Sequence, residues 1–342
     1  MEQFDFSYLN KAFKPALEPK LPSTDIRPIP DERCVNTAHL GEEEKESLAQ
    51  IGLKAIAEGR VAAVVLAGGQ ASRLGSAQPK GVLGQGDVDS LLFIQAAQIV
   101  RLQRMAAEQF PAEAAKSGGR ITWLVITSNT TNGAVHEHLN AVLIFTQKEI
   151  PAFDFDGNAL MKSSTELVTA PDGNGGFYDV VRPLLPELEK RGVQHLYIYC
   201  VDNFLCRVAD PTMIGCAIDR QADCALKVIE KRDPAELVGH VCLENGLVRV
   251  LEYSEIPREL AERRCPTDPS KLFLNAGSIA NHVVTLDFLR AACDKADDVL
   301  PYHAARKRVP FWDTEKQTMV QPTGPNAVKL ERFIFDSFVL SK

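Results

Sequence analysis

Apolar and polar positions fall into blocks along the chain, and the period of each block predicts its element. Over residues 42–58, "EEEKESLAQIGLKAIAE", acidic residues come first and apolar ones recur at helical spacing, so a helix is expected. "VAAVVLA" (61–67) is short and β-branched-rich, the pattern of a buried strand. From Ser90, "SLLFIQAAQIVRLQRMAAEQF" shows helix period behind a serine cap. "ITWLVITS" (121–128) and "VLIF" (142–145) read as strands, and 176–192 as a helix interrupted by prolines. "VQHLYIYCVDN" (193–203) reads as a strand ending in a carboxylate, 210–222 as a helix and 223–231 as a strand. In 237–256, two β-rich runs flank "ENG", a hairpin turn signal. The proline-rich stretch 20–36 reads as loop or linker. Strand–helix alternation predicts an α/β fold with a Rossmann-like, mostly parallel central sheet flanked by helices and a β-rich insertion at about 237–256. The expected organisation is an N-terminal helical and linker segment over 1–60, then one large domain over 61–342.

The net charge of -7 argues against nonspecific binding to nucleic acid or to an anionic membrane. No apolar run is long enough to span a bilayer, and the N-terminus lacks the basic head and apolar block of a secretory signal. The eight cysteines are scattered without a CxxC pair, which argues against zinc ligation. Several lie in apolar runs, as reduced buried thiols do, and a cytoplasmic location is expected. His136 and His138 fall on different faces of a helix, which argues against a metal pair.

The candidate chemistry sits in "VVLAGGQASRLGSAQPKG" (64–81). Dinucleotide spacing from Gly68 would need glycines where Gln70 and Arg73 stand. A P-loop from Gly69 meets its second glycine one residue late, at Gly75, with Ser76 in place of lysine. What remains is a buried strand, Gly68-Gly69, Arg73 and Pro79-Lys80-Gly81. Glycines let backbone approach a ligand closely, exposed N–H groups cradle anionic oxygens, and two cations can meet a triphosphate. A tight turn bearing solvated charges is the plain alternative.

The form GGQ-x-S-R-L-G followed by PKG resembles the signature of the eukaryotic UDP-N-acetylhexosamine pyrophosphorylases. "APDGNGGFY" (170–178), "YCVDN" (199–203), "EYSEI" (252–256), "LFLNAGSIANH" (272–282) and "KLERFIFD" (329–336) resemble that family's later motifs, in order. The resemblance runs from about Val61 to Phe338 and implies a nucleotidyltransferase catalytic domain. It implies uridylyl transfer from UTP to N-acetylglucosamine 1-phosphate with Mg2+ (or Mn2+), and a monomer or homodimer with small-molecule partners.

The resemblance also implies roles. Arg73 and Lys80 would meet the α-phosphate and the leaving pyrophosphate. Uracil would lie near Leu66, Ala67, Gly68, Gly69, Gln147 and Gly173. The sugar would lie near Asn174, Glu252, Tyr253 and Asn275, and Lys329 would contact the nucleotide phosphates. Asp202 would hold the metal; it ends an apolar strand, where parallel sheets bind ligands, although an aspartate there can equally cap a turn. Read without the resemblance, Gly173 and Asn174 form an ordinary Asp-Gly turn, Glu252 is a solvated strand residue, Asn275 bonds to backbone, and Lys329 is a solvated helix lysine.

The chain departs from the family pattern in three places. Ala71 stands where the family has glycine, the stretch before Gln147 is short, and the chain ends at "FIFDSFVLSK" where the family continues into a C-terminal domain. Two other functions therefore stay open: a non-catalytic UDP-sugar-binding protein, and a UDP-glucose or broad UDP-sugar pyrophosphorylase.

Overall fold

The computed structural model describes residues 4–18, 23–69, 78–84, 90–139 and 143–342. Among the described residues, nine strands form the central sheet: β1 (Ile26–Arg27), β2 (Val61–Leu66), β3 (Thr122–Thr127), β4 (Leu143–Thr146), β5 (His195–Cys200), β6 (Cys224–Glu230), β7 (Gly239–Glu244), β8 (Leu247–Leu251) and β9 (Ala276–Thr285). The order is β1-β7-β9-β5-β2-β3-β4, with β8 paired to β7 and β6 to β9. The run β4-β3-β2-β5 is parallel, with Val64 opposite Leu124 on one side and Ile198 on the other. β9 joins antiparallel to β5 and carries the sheet into its antiparallel half. Its pairing with β6 bulges between Ser278 and Asn281, where Ala280 takes φ +56°.

The sequence of β2 explains why both faces of this sheet are covered. Successive side chains point to opposite faces, and every one from Val61 to Val65 is apolar. Ala62 and Val64 join Leu124, Ile198, Phe177, Phe288 and Phe338 in one core. Val61, Ala63 and Val65 join Leu53, Ile56, Leu92, Tyr197 and Ile214 in the other. The helices Glu42–Ala57, Leu91–Gln109 and Pro211–Asp219 contribute to the second core, as their apolar spacing requires. Ser90 caps the helix Leu91–Gln109 by accepting from the Phe93 N–H at 3.1 Å.

Several expectations need correction in detail. The 20–36 stretch is not wholly loop, because Ile26–Arg27 pairs with Glu244 and Leu243 at the sheet edge. The 176–192 helix is three short pieces, Phe177–Val181, Arg182–Leu184 and Leu185–Lys190, as Pro183 and Pro186 each start a new turn. Lys329 lies on a strand, Ala327–Glu331, not a helix; that strand pairs with His303–Lys307. The "ENG" hairpin forms as expected between β7 and β8, with Asn245 and Gly246 both at positive φ. The helix Phe6–Leu17 packs Leu9 and Phe13 against Phe153, Tyr302 and Val328. Among the described residues, no helix is long and apolar enough to cross a membrane.

Candidate active site

The carboxyl ends of the four parallel strands converge on one site, where α/β sheets bind ligands. Beyond β2, the Ala67 N–H donates to Ile126 O at 2.7 Å, so the ladder continues one residue past the strand. The Gly68 carbonyl then accepts from Ser128 Oγ, beyond β3, at 3.0 Å. The Gln147 N–H, beyond β4, donates to Thr127 O at 2.9 Å. A Cβ built on Gly68 would lie 3.2 Å from Gln147 Nε2, so the absent side chain is what lets the amide lean over the turn. Leu66, Ala67, Gly68, Gly69 and Gln147 are thus brought together.

Lys80 returns to this turn. Its N–H donates to Gly69 O at 3.2 Å, and its Nζ donates to Asp202 Oδ2 at 2.6 Å. The lysine is presented by a fixed backbone: Pro79 and Gly81 are buried, with Gly81 wedged against Leu92 and Val201. Asp202 is held in turn by the strand end before it, because buried Gln95 donates from Nε2 to Val201 O at 3.1 Å. Asp202 itself is 49% exposed and faces solvent. Arg73, Gln70 and Ala71 lie outside the described residues.

The "PDGNGG" loop follows a two-stranded ribbon in which Glu149 opposes Pro171, two residues beyond Gln147. Gly173 has φ +84°, and a Cβ there would overlap the backbone of Arg332. On their Cβ side, Gly173 and Gly175 thus face Arg332, and Gly176 faces the Asp172 carboxyl. The Gly175 N–H donates to Arg332 O at 2.8 Å, and Asn174 Oδ1 accepts from the Ile334 N–H at 2.8 Å. The Asn174 carbonyl oxygen is thus engaged within the chain. Arg332 donates from Nη2 to both Asp172 and Asp179, the latter at 2.7 Å. Burial pushes the Asp172 carboxyl up, while the Arg332 guanidinium pulls it back.

The residues expected at the sugar come from separate elements. Glu252 follows β8, and burial followed by the neighbouring Glu255 charge pushes its carboxyl up to about 7. Tyr253 is 41% exposed. Asn275 is half-buried just before β9, and its carbonyl accepts from the Lys231 N–H at 2.7 Å. The Lys231 side chain is buried, donating to Glu236 O at 2.8 Å and to His240 Nε2 at 2.9 Å. That bond makes His240 the Nδ1–H tautomer, which donates to Leu274 O at 3.2 Å. Lys329 is half-buried opposite Ala305, and burial lowers its pKa. Among the described residues, no hydrogen bond joins Tyr253, Asn275 or Lys329 to the Lys80–Asp202 group.

Sequence reasoning missed Ser128, Gln95, Asp172, Arg332, Lys231 and His240. Arg332 carried a signal, a charge inside the apolar run "LERFIF"; Ser128 and Gln95 carried none, since the bonds that matter here go to backbone carbonyls. Among the described residues, no three His, Cys, Asp or Glu side chains are placed to hold a metal ion by themselves. Asp202 stands at the strand ends, which fits a Mg2+ held by one carboxylate and by substrate phosphates.

Known proteins resemble this chain in both sequence and structure. A Xenopus tropicalis protein named UDP-N-acetylhexosamine pyrophosphorylase-like protein 1 is 40% identical over 93% of this chain and 63% of its own length. The UDP-N-acetylglucosamine pyrophosphorylase of Saccharomyces cerevisiae is 39% identical over 92% of this chain and 67% of its own length. The chain thus spans about two thirds of the length of these relatives. The crystal structure of the uridine diphosphate N-acetylglucosamine pyrophosphorylase from Trypanosoma brucei superposes with a TM-score of 0.80 at 27% identity, over 98% of this chain and 66% of that one. The family model described as UTP–glucose-1-phosphate uridylyltransferase matches residues 1–339, and the chain belongs to that family.

Proposed function

We propose that the chain transfers a uridylyl group from UTP to N-acetylglucosamine 1-phosphate, giving UDP-N-acetylglucosamine and pyrophosphate. One observation carries this reading: the lysine of the glycine loop and the carboxylate ending β5 meet at 2.6 Å at the mouth of the parallel strands. A phosphate-binding cation and a metal-binding anion are what a nucleoside triphosphate needs at one place.

The chemistry asks little covalent work of the protein. A phosphate oxygen of the sugar 1-phosphate attacks the α-phosphorus of UTP, the α–β bridging P–O bond breaks, and its electrons leave on pyrophosphate. Rate then comes from alignment and from neutralising charge on the oxygens. Lys80 Nζ, released from Asp202 by the incoming phosphates, would neutralise the α-phosphate and leaving group, with Arg73 beside it. The Gln147 amide and the backbone of Leu66–Gly69 would hold uracil. Asp202 would hold Mg2+, which supplies charge neutralisation on phosphate oxygens when bound. Glu252, poised near neutrality, would accept from or donate to a sugar hydroxyl. A cytoplasmic setting belongs to the same reading and is supported by eight thiols that are all free.

Glucose 1-phosphate is the competing acceptor, because the family model's description names it. Pyrophosphate release with each sugar phosphate tests the choice. N-acetylglucosamine 1-phosphate is expected to give the higher kcat/KM; equal or reversed values would overturn the assignment.

A further inference from the structure

A second set of ionisable side chains surrounds His303, and no step above uses it. His303 opens the strand His303–Lys307, opposite Glu331, and is 6% exposed. Its Nδ1 lies 2.7 Å from Glu255 Oε1 and its Nε2 lies 2.8 Å from Asp336 Oδ2. An ionised carboxylate only accepts, so both contacts are satisfied when both ring nitrogens donate. Phe333 packs against the ring at 4.3 Å between centroids. Arg249 of β8 stands 4.0 Å from Asp336 Oδ1 and is itself engaged by Glu244 at 3.1 Å. Glu252 and Glu331 are further charged groups that face this cluster. The Glu255 and Ile256 N–H groups both donate to Glu252 O at 3.0 Å, which closes residues 252–256 into a turn.

We propose that His303 is a positioning residue for the sugar side of the site: by bridging Glu255 and Asp336 it ties the 252–256 turn to the C-terminal segment Ile334–Leu340, and so sets where Glu252 and Tyr253 meet the sugar 1-phosphate. This rests on the uridylyl-transfer reading above. The geometry explains why a histidine serves: it spans two carboxylates that come from opposite sides and supplies a positive charge between them. Burial alone would push its pKa down, but Asp336 and Glu255 hold it above the usual imidazole value. A neutral ring can donate from one nitrogen only, so deprotonation gives up one of the two ties. The same rise in pH ionises Glu252 and adds a negative charge beside Glu255, Asp336 and Glu331.

The test uses the full chain with His303→Leu and the milder His303→Gln. In His303→Leu the KM for N-acetylglucosamine 1-phosphate should rise about tenfold or more, while the KM for UTP stays within about twofold. His303→Gln, which keeps a donor, should fall between. In the unmodified chain the sugar-phosphate KM should climb as pH rises past the usual imidazole value, and the climb should be clearly smaller in His303→Leu, where Glu252 still titrates but the tie does not. Hydrogen exchange at the Glu255 and Ile256 amides should quicken in His303→Leu while β2 stays protected. An unchanged sugar-phosphate KM, or both KM values rising together with exchange quickened throughout, would overturn the proposal. Absence of transfer in the unmodified chain would instead defeat the functional reading. Exchange at Glu255 and Ile256 would then decide the tie by itself, with unchanged protection in His303→Leu overturning it.

Discussion

Lys80 Nζ and Asp202 Oδ2 form an ion pair of 2.6 Å across the mouth of the parallel strands. The two side chains are 29% and 49% exposed, so water screens the pair and it contributes about 0–1 kcal/mol to stability. Lys80→Ala and Asp202→Asn should therefore shift urea unfolding by less than about 1 kcal/mol. Transfer should fall by about a hundredfold or more in each, since both groups act on developing phosphate charge. Large destabilisation with transfer retained would make the pair a structural one.

Gly173→Ala is expected to be costly for two separate reasons. The residue sits at φ +84°, and the added methyl would overlap the Arg332 backbone. The loss should reach about 2–4 kcal/mol in denaturant unfolding. Gly133→Ala is the control, because a Cβ there meets nothing within 4 Å. It should be neutral or stabilising, and similar losses in both variants would refute the packing argument.

Removing Arg332 should be worse than removing an exposed arginine. Arg332→Leu leaves Asp172 buried without its cation, at an expected cost of about 3–5 kcal/mol near pH 8. Burial then holds the Asp172 pKa high. A carboxyl raised in the folded state gives its stability at low pH and loses it as pH rises. The deficit of Arg332→Leu should thus shrink from pH 8 to pH 5, which melting curves at the two pH values will show.

Glu252 and His303 make a pH prediction of the same sign. Both are raised in the folded chain, Glu252 to about 7. Their stability is present below their unfolded values and is lost as pH rises through the folded ones. The melting temperature should fall across neutrality, and Glu252→Gln should flatten the fall. An unchanged slope in Glu252→Gln would show that Glu252 is not the titrating group.

The parallel half of the sheet is legible because its strands are short and mostly apolar, with polar residues only at their ends or absent, and its helices carry regular spacing. β2 and β5 both read correctly for that reason. The glycine turn, Lys80 and Asp202 were each legible as candidates, but their mutual contact was not, since nothing local links residues so distant in sequence. The "PDGNGG" loop shows the converse. The resemblance sets uracil near Gly173, but the Cβ side of Gly173 and Gly175 is occupied by Arg332 and that of Gly176 by Asp172. Lys329 reads by itself as helical because "NAVKLERF" is too short and mixed to show a period; pairing with His303–Lys307 makes it a strand. The His303 cluster was invisible, because its carboxylates come from a turn and a terminal segment that only the fold brings together.

The most direct measurement is pyrophosphate release from UTP, Mg2+ and N-acetylglucosamine 1-phosphate by this chain and by its Lys80→Ala variant. Turnover in the unmodified chain, lost in the variant while its melting temperature is kept, is the expected result. No turnover in either protein, with UDP-N-acetylglucosamine still raising the melting temperature of both, would contradict transfer and leave a binding protein in its place.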